Sequence, residues 1–270
     1  MDVKKVLFIS QALSPYLPET PVRVMCRMLP QSLQEKGVEA RTFMPKYGMI
    51  NERRNQLHPV IRLTGMNVII NDSDHPLVIK VATLLPSRMQ VYFIYNEDYF
   101  AHNMTRELET ESSPAENNER AILYARGVIE AVRKTRWNPN IIHCNGWISA
   151  LAPLYMRKLY NDDPAFGDAK IVIGLHADSL CEPLNPALYD LLLQDGFAAD
   201  DISLLSGGVI DETVLTRLAI DNCDAIMQCS ADVNPEILKY AEASGKPMLH
   251  YTSDDDVLAR SREFYNNLGE

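Results

Sequence analysis

No stretch of this chain approaches the roughly 18 consecutive apolar residues of a membrane-spanning helix, so no membrane partner is expected. Basic clusters are missing as well. No run of five Lys or Arg occurs, and 26 basic residues face 36 acidic ones for a net charge of −10. A nucleic-acid partner is disfavoured on that balance, because affinity for a phosphate backbone rests on neutralising cations. Cysteine is scarce and unpatterned. Cys26, Cys144, Cys181, Cys223 and Cys229 are odd in number and form no Cys-x-x-Cys, which speaks against a disulfide framework or a zinc site. Free thiols in a reducing compartment are the expectation. Neither Gly-x-Gly-x-x-Gly nor a Walker pattern is present, so Gly207-Gly208 reads as plain loop and no cofactor is indicated. No metal is indicated either: Asp254-Asp255-Asp256 lacks the alternating oxygen ligands of a calcium loop and reads as negative charge at a helix start. The apolar run near the N-terminus is too short for a signal peptide, and a cytoplasmic protein is expected.

What is present is an alternation of short apolar strands and amphipathic helices. Residues 3–9 read as a strand buried on both faces, followed by a Pro-rich loop. A helix is expected over 22–36, with Val22, Met25, Leu29 and Leu33 on one face, Pro21 in its first turn and Gly37 as its C-terminal cap. Pro30 is expected to kink or break it. A strand follows over 38–43. Four short runs, 60–63, 66–70, 77–83 and 89–95, separated by turn residues, predict a β meander inserted beside the parallel sheet. Ser113-Pro114-Ala115-Glu116 starts a helix to about 136. Strands are then expected over 141–143, 170–176, 224–228 and 247–251. The helices are expected over 147–160, 186–194, 209–222, 231–243 and 254–268. The fold class is therefore α/β, a single Rossmann-like doubly wound parallel sheet spanning 1–270, with the β insertion at about 60–95.

The stretch from Ile141 to Tyr155 carries the functional signal. A strand runs into a His, a polar hinge and then a Trp that opens an apolar helix. In open α/β sheets, ligands sit at this carboxyl edge. His143 and His176 both end strands there, and each can be a ligand contact or a satisfied structural histidine. Trp147 suits packing or a sugar face, and Asn145 reads as a helix N-cap. His58, His75, His102 and His250 have no motif around them.

Several segments together resemble the N-terminal catalytic domain of the glycogen and starch synthases. These are Val6-Leu7-Phe8-Ile9-Ser10 with its loop, Met28-Leu29-Pro30, the segment from Lys36 to Tyr47, Ile141 to Tyr155, Gly174-Leu175-His176, and Asn222 to Ser230. That family is of the two-Rossmann GT-B type and transfers glucose from ADP-glucose to an α-1,4-glucan. The resemblance implies a substrate-binding set of His143, Asn145, Trp147, His176 and Arg217, with His176 the one catalytic candidate. It also implies a glucan or sugar ligand. The departures concern chemistry. The family's Lys-x-Gly-Gly in the first loop is Pro18-Glu19-Thr20-Pro21 here, removing a cation and an N–H and placing Glu19 where a diphosphate approaches. Repulsion between like charges a few ångströms apart costs on the order of 1 kcal/mol. The family's His-x-His-Asp-Trp-His is His143-Cys144-Asn145-Gly146-Trp147-Ile148, its His-Asn is His176-Ala177, and Arg217 stands for a Lys. Family members run to about twice this length, so the nucleotide-holding domain is not expected within this chain. Three readings follow: a sugar-, glucan- or protein-binding module without catalysis of its own; half of a split glucosyltransferase completed by a second Rossmann-type domain; or a small enzyme using His143 and His176 with a carboxylate, Asp178 or Glu182.

Overall fold

Strands rich in Val, Ile and Leu that lie between helical segments must bury both faces, and the computed structural model places them side by side. It describes residues 2–101, 114–177, 180 and 182–269. The chain runs β1 (Lys5–Ser10), α1 (Pro21–Glu35), β2 (Glu39–Pro45), β3 (His58–Pro59), β4 (Met66–Ile70), β5 (Ser73–Leu84), β6 (Met89–Tyr95), α2 (Glu97–Phe100) and α3 (Pro114–Thr135). It continues through β7 (Ile141–Asn145), α4 (Leu151–Lys158), β8 (Lys170–Leu175), α5 (Leu188–Gln194), α6 (Glu212–Asp221), β9 (Ala225–Gln228), α7 (Pro235–Ala243), β10 (Met248–Leu249) and α8 (Asp254–Asn267). The sheet order is β10-β9-β8-β7-β1-β2-β6-β5-β3, with β4 paired to β5. From β10 to β6 every neighbouring pair is parallel. The chain leaves β1 towards β2 on one side and returns at β7 on the other, so the strand order reverses between β1 and β7. Ser10 and Asn145 are register partners at the end of that seam. A crevice opens at such a reversal.

Two apolar clusters flank the sheet. Val6, Phe8, Ile141, Val172 and Met227 pack with Met25, Leu29 and Leu33 of α1 and Val257 and Tyr265 of α8. Leu7, Ile142 and Ile173 face the other cluster, with Ile122 and Ile129 of α3, Leu154 of α4 and Leu215 of α6. Each fully buried aliphatic side chain of this kind contributes about 1.5–3 kcal/mol. Tyr124 of α3 is fully buried, with its hydroxyl 2.8 Å from the carbonyls of both Ser10 and Phe43, which pins the ends of β1 and β2.

Several expectations need correction. The run at 89–95 is no part of an insertion: β6 pairs with β2 in parallel and is a strand of the main sheet, as its almost wholly buried sequence requires. The run at 60–63 gives a 3-10 turn at Ile61–Leu63. What projects from the sheet is the antiparallel β3, β4 and β5. The β4–β5 turn puts Asn71 and Asp72 at φ +49° and +58°, left-handed values that Asn and Asp tolerate. Helix α1 runs unbroken through the buried Pro30; one missing backbone donor does not end a helix held by packing on both the sheet and α8. Thr20 caps it by accepting from the Arg23 N–H, and Gly37 at φ +84° follows its end. The helix expected at 147–160 divides into a 3-10 turn, Trp147–Ser149, and α4. Helices α6 and α7 start three and four residues later than expected, where Asp211 and Asn234 cap them. The Ser113 start lies outside the described residues, as do His102, Cys181 and Asp178. Cys26, Cys144, Cys223 and Cys229 are buried and in no disulfide. Among the described residues no helix is long and apolar enough to cross a membrane.

Candidate functional site

The carboxyl ends of β1, β7 and β8 bring polar side chains into an otherwise apolar layer. His143 is completely buried and stacks on Phe8, ring centroids 5.4 Å apart. Its Nδ1 lies 2.6 Å from the hydroxyl of Tyr265 on α8. Asn145 Oδ1 lies 2.7 Å from His176 Nε2, and Asn145 Nδ2 donates to Ser10 Oγ at 3.3 Å. These groups meet over Gly174. A Cβ there would stand 2.2 Å from Asn145 Oδ1, 2.5 Å from His143 Nε2 and 3.2 Å from His176 Nε2. Only a residue without a side chain lets β8 pass beneath them.

Burial dominates the electrostatics. Removing an imidazolium from water is costly, and burial, aided by His176 nearby, pushes the His143 pKa down to about 3. Burial alone takes His176 down to about 4. Both rings are therefore neutral at pH 7. His176 Nδ1 and His143 Nε2 make no hydrogen bond. His176 lines a cavity of about 30 Å³ together with Trp147, Ser149, Gly174, Glu212, Thr216, Val233 and Ile237. That volume accepts a water or a hydroxyl group, not a sugar ring.

Asn145 is not the helix cap the sequence suggests. The residue before the 3-10 turn is Gly146, which gives no side-chain cap, and the Asn145 amide is engaged with Ser10 and His176 instead. Gly146 holds φ +82°, and a Cβ on it would lie 2.5 Å from Gln11 Oε1 and 2.7 Å from Gln11 Cβ. The Gln11 side chain thus fills the space a larger residue at 146 would need. His143, Asn145, Trp147 and His176 come together, but Arg217 does not join them. Its guanidinium turns to α7, 3.5 Å from Glu236 and 5.3 Å above the Tyr240 ring. Glu182 is exposed and does not line the cavity. The first loop closes on itself, with Arg23 donating to the Pro18 carbonyl at 3.0 Å while Thr20 caps α1. Sequence reasoning missed Ser10, Glu212 and Tyr265. Ser10 could have been found as the last residue of a strand at the reversal, but nothing in the spacing marks Tyr265, 122 residues from its partner. Among the described residues no group of three or more His, Cys, Asp or Glu could hold a metal ion.

A family model described as the starch synthase catalytic domain matches residues 5–250. The chain belongs to that family. It is 33% identical over 242 residues to the glycogen synthase of Chlorobium limicola, covering 84% of this chain and 48% of that protein. It is 35% identical over 215 residues to the glycogen synthase of Chlorobaculum parvum, covering 76% and 43%. The chain thus spans about half the length of the curated relatives it matches. Among solved structures, the catalytic domain of starch synthase IV from Arabidopsis thaliana, bound to ADP and acarbose, superposes with a TM-score of 0.71 at 16% identity, over 95% of this chain and 53% of that one. That likeness is one of fold, the N-terminal half of a GT-B glycosyltransferase.

Proposed function

We propose that this starch-synthase-type domain binds an α-glucan or its terminal sugar above the carboxyl ends of β7 and β8, and does not by itself take up a nucleotide-sugar. The first βα loop carries this reading. Between Gln11 and Pro21 it has no Lys or Arg, Pro18 and Pro21 offer no backbone donor, and Arg23, the nearest cation in sequence, is engaged with the Pro18 carbonyl. A diphosphate approaching there meets exposed Glu19, and at the start of α1 Pro21 has no N–H and the Arg23 N–H is already taken by Thr20. A sugar needs less. Neutral acceptors and donors such as His176 Nδ1, Ser149 and Thr216, beside Trp147 and apolar walls, suit a hydroxyl entering a small polar pocket. The pyranose ring then rests outside the cavity.

Calorimetric titration of the full chain with maltooligosaccharides, acarbose, ADP and ADP-glucose tests this. The expected result is glucan or acarbose binding with Kd of about 1 mM or tighter, roughly −4 kcal/mol, lost in Trp147→Ala, and no response to ADP. Binding of ADP or ADP-glucose tighter than about 1 mM by this chain alone overturns the proposal. Nucleotide-sugar turnover appearing only when a second Rossmann-type domain is added would replace it with the split-transferase reading.

A further inference from the structure

Helix α8 lies beyond residue 250, where the family match stops, yet it packs on the face of the sheet that carries His143. Tyr265 is fully buried, its ring edge-on to His143 at 6.0 Å between centroids, and its hydroxyl has His143 Nδ1 as its partner at 2.6 Å. The protons along this line can be placed by satisfying each buried group. The Asn145 Nδ2 donates to Ser10 Oγ and Oδ1 faces His176 Nε2. An amide oxygen only accepts, so His176 Nε2 carries the hydrogen. In a neutral ring Nδ1 is then a bare lone pair, and it is the atom without a partner on a side chain that lines the cavity. His143 has two choices. With hydrogen on Nδ1, the phenol proton of Tyr265 is stranded in the core, and a bare Nε2 faces Gly174 beside the Asn145 oxygen, acceptor next to acceptor. With Tyr265 donating to Nδ1, Nε2–H stands beside an oxygen that has a second lone pair. The first choice strands the buried phenol proton and sets two lone pairs against each other; in the second Nε2–H still falls short of a hydrogen bond, but it turns a hydrogen rather than a lone pair towards the oxygen, which is the lesser cost.

We infer that Tyr265 is a positioning residue for this site: its hydroxyl holds His143 as the Nε2–H tautomer, which keeps the Asn145 oxygen turned to His176 and the bare Nδ1 of His176 turned to the cavity. The occupant of that cavity must therefore donate a hydrogen bond, as a sugar hydroxyl does. This deepens the glucan reading and rests on it only for the identity of the ligand. Without the hydroxyl, His143 is free to present a bare Nε2, the Asn145 Nδ2 swings round to meet it, and His176 reverses.

Nitrogen-15 spectra of the imidazoles in histidine-labelled full-length protein, recorded without ligand, test the chain of tautomers. In the unsubstituted protein His143 and His176 are each expected to show a protonated Nε2 and a bare Nδ1. In Tyr265→Phe, which removes one oxygen, His143 is expected to become a mixture of both tautomers and His176 to gain an Nδ1–H population. A protonated Nδ1 on either ring of the unsubstituted protein overturns the inference whether or not the variant folds. So does a folded variant in which His176 is unmoved, since a purely structural role for Tyr265 would not reach that ring. Because no ligand is present, a failure to bind glucan would count against the functional reading and leave this result standing.

Discussion

Replacing Gly174 by Ala puts a methyl group where three polar side chains already stand. Space that tight at Asn145 Oδ1 and His143 Nε2, 2.2 and 2.5 Å from the new carbon, cannot be recovered by a small rotation, because both groups are buried. Either β8 moves or the Asn145–His176 hydrogen bond breaks. Overpacking a core costs about 1–3 kcal/mol, and leaving a buried donor and acceptor unmet costs about 1–3 kcal/mol. Since relief of one limits the other, a loss of about 3 kcal/mol is expected. Urea unfolding followed by circular dichroism reads this directly. With an m-value of about 3 kcal/mol per M for a domain of this size, the midpoint falls by about 1 M. Two comparisons isolate the cause. Gly207 has no heavy atom within 4 Å of its would-be Cβ and no left-handed φ, so Gly207→Ala should shift stability by less than about 0.5 kcal/mol. Asn145→Ala removes the nearest obstacle, so the double variant should be less destabilised than the two single losses added together. A Gly174→Ala midpoint indistinguishable from that of Gly207→Ala would refute the crowding on which the site geometry rests.

Acid should weaken the fold through the same pair of rings. His143 and His176 have folded pKa values near 3 and 4 against about 6.5 unfolded. The unfolded chain thus binds more protons below pH 6.5, and stability falls as pH is lowered from there towards 4. Each ring removes about 1.4 kcal/mol per pH unit. Unfolding free energies at pH 7, 6 and 5 check this, and His176→Gln should lessen the slope by one proton; a flat profile would contradict both assignments. Lys246 donates to the carbonyls of Ile220, Asp221 and Cys223 at the end of α6, so Lys246→Met should cost about 1–2 kcal/mol, read from the thermal midpoint. Gly146→Ala combines a left-handed φ with contact on Gln11 and should cost about 2–3 kcal/mol. Gln11→Ala should recover part of that loss in a thermal scan, and no recovery would separate the two causes.

Much of this molecule was legible in advance because strand burial on both faces writes itself as unbroken apolar runs. The order of elements, the carboxyl-edge position of His143 and His176 and the face of α1 all follow from periodicity. Boundaries set by one side chain were less visible. Asp211 and Asn234 decide where α6 and α7 begin, yet each looks like any polar loop residue. The parallel pairing of β6 was hidden because a hairpin partner next in sequence, β5, explains the same apolar pattern. Asn145 satisfied a helix-cap rule locally, but the neighbours that claim its amide come from elsewhere in the sheet, Ser10 at the end of β1 and His176 just past β8. Arg217 was placed by family position, and its direction was decided by Glu236 and Tyr240 on a helix whose packing the sequence does not state. Tyr265 lay furthest out of reach, since only the return of α8 across the sheet makes it a neighbour of His143.

The main sheet ends at both flanks on two-residue strands, β3 and β10. Fibril growth by edge addition needs a flat row of unpaired amides and carbonyls. His58, Pro59, Met248 and Leu249 offer scarcely one repeat of such a template, and a proline occupies one of the four places. On β4, off that path, Arg126 already claims the Ile69 carbonyl. Among the described residues, the ten-stranded sheet is thereby left with little edge on which a stray strand could seed.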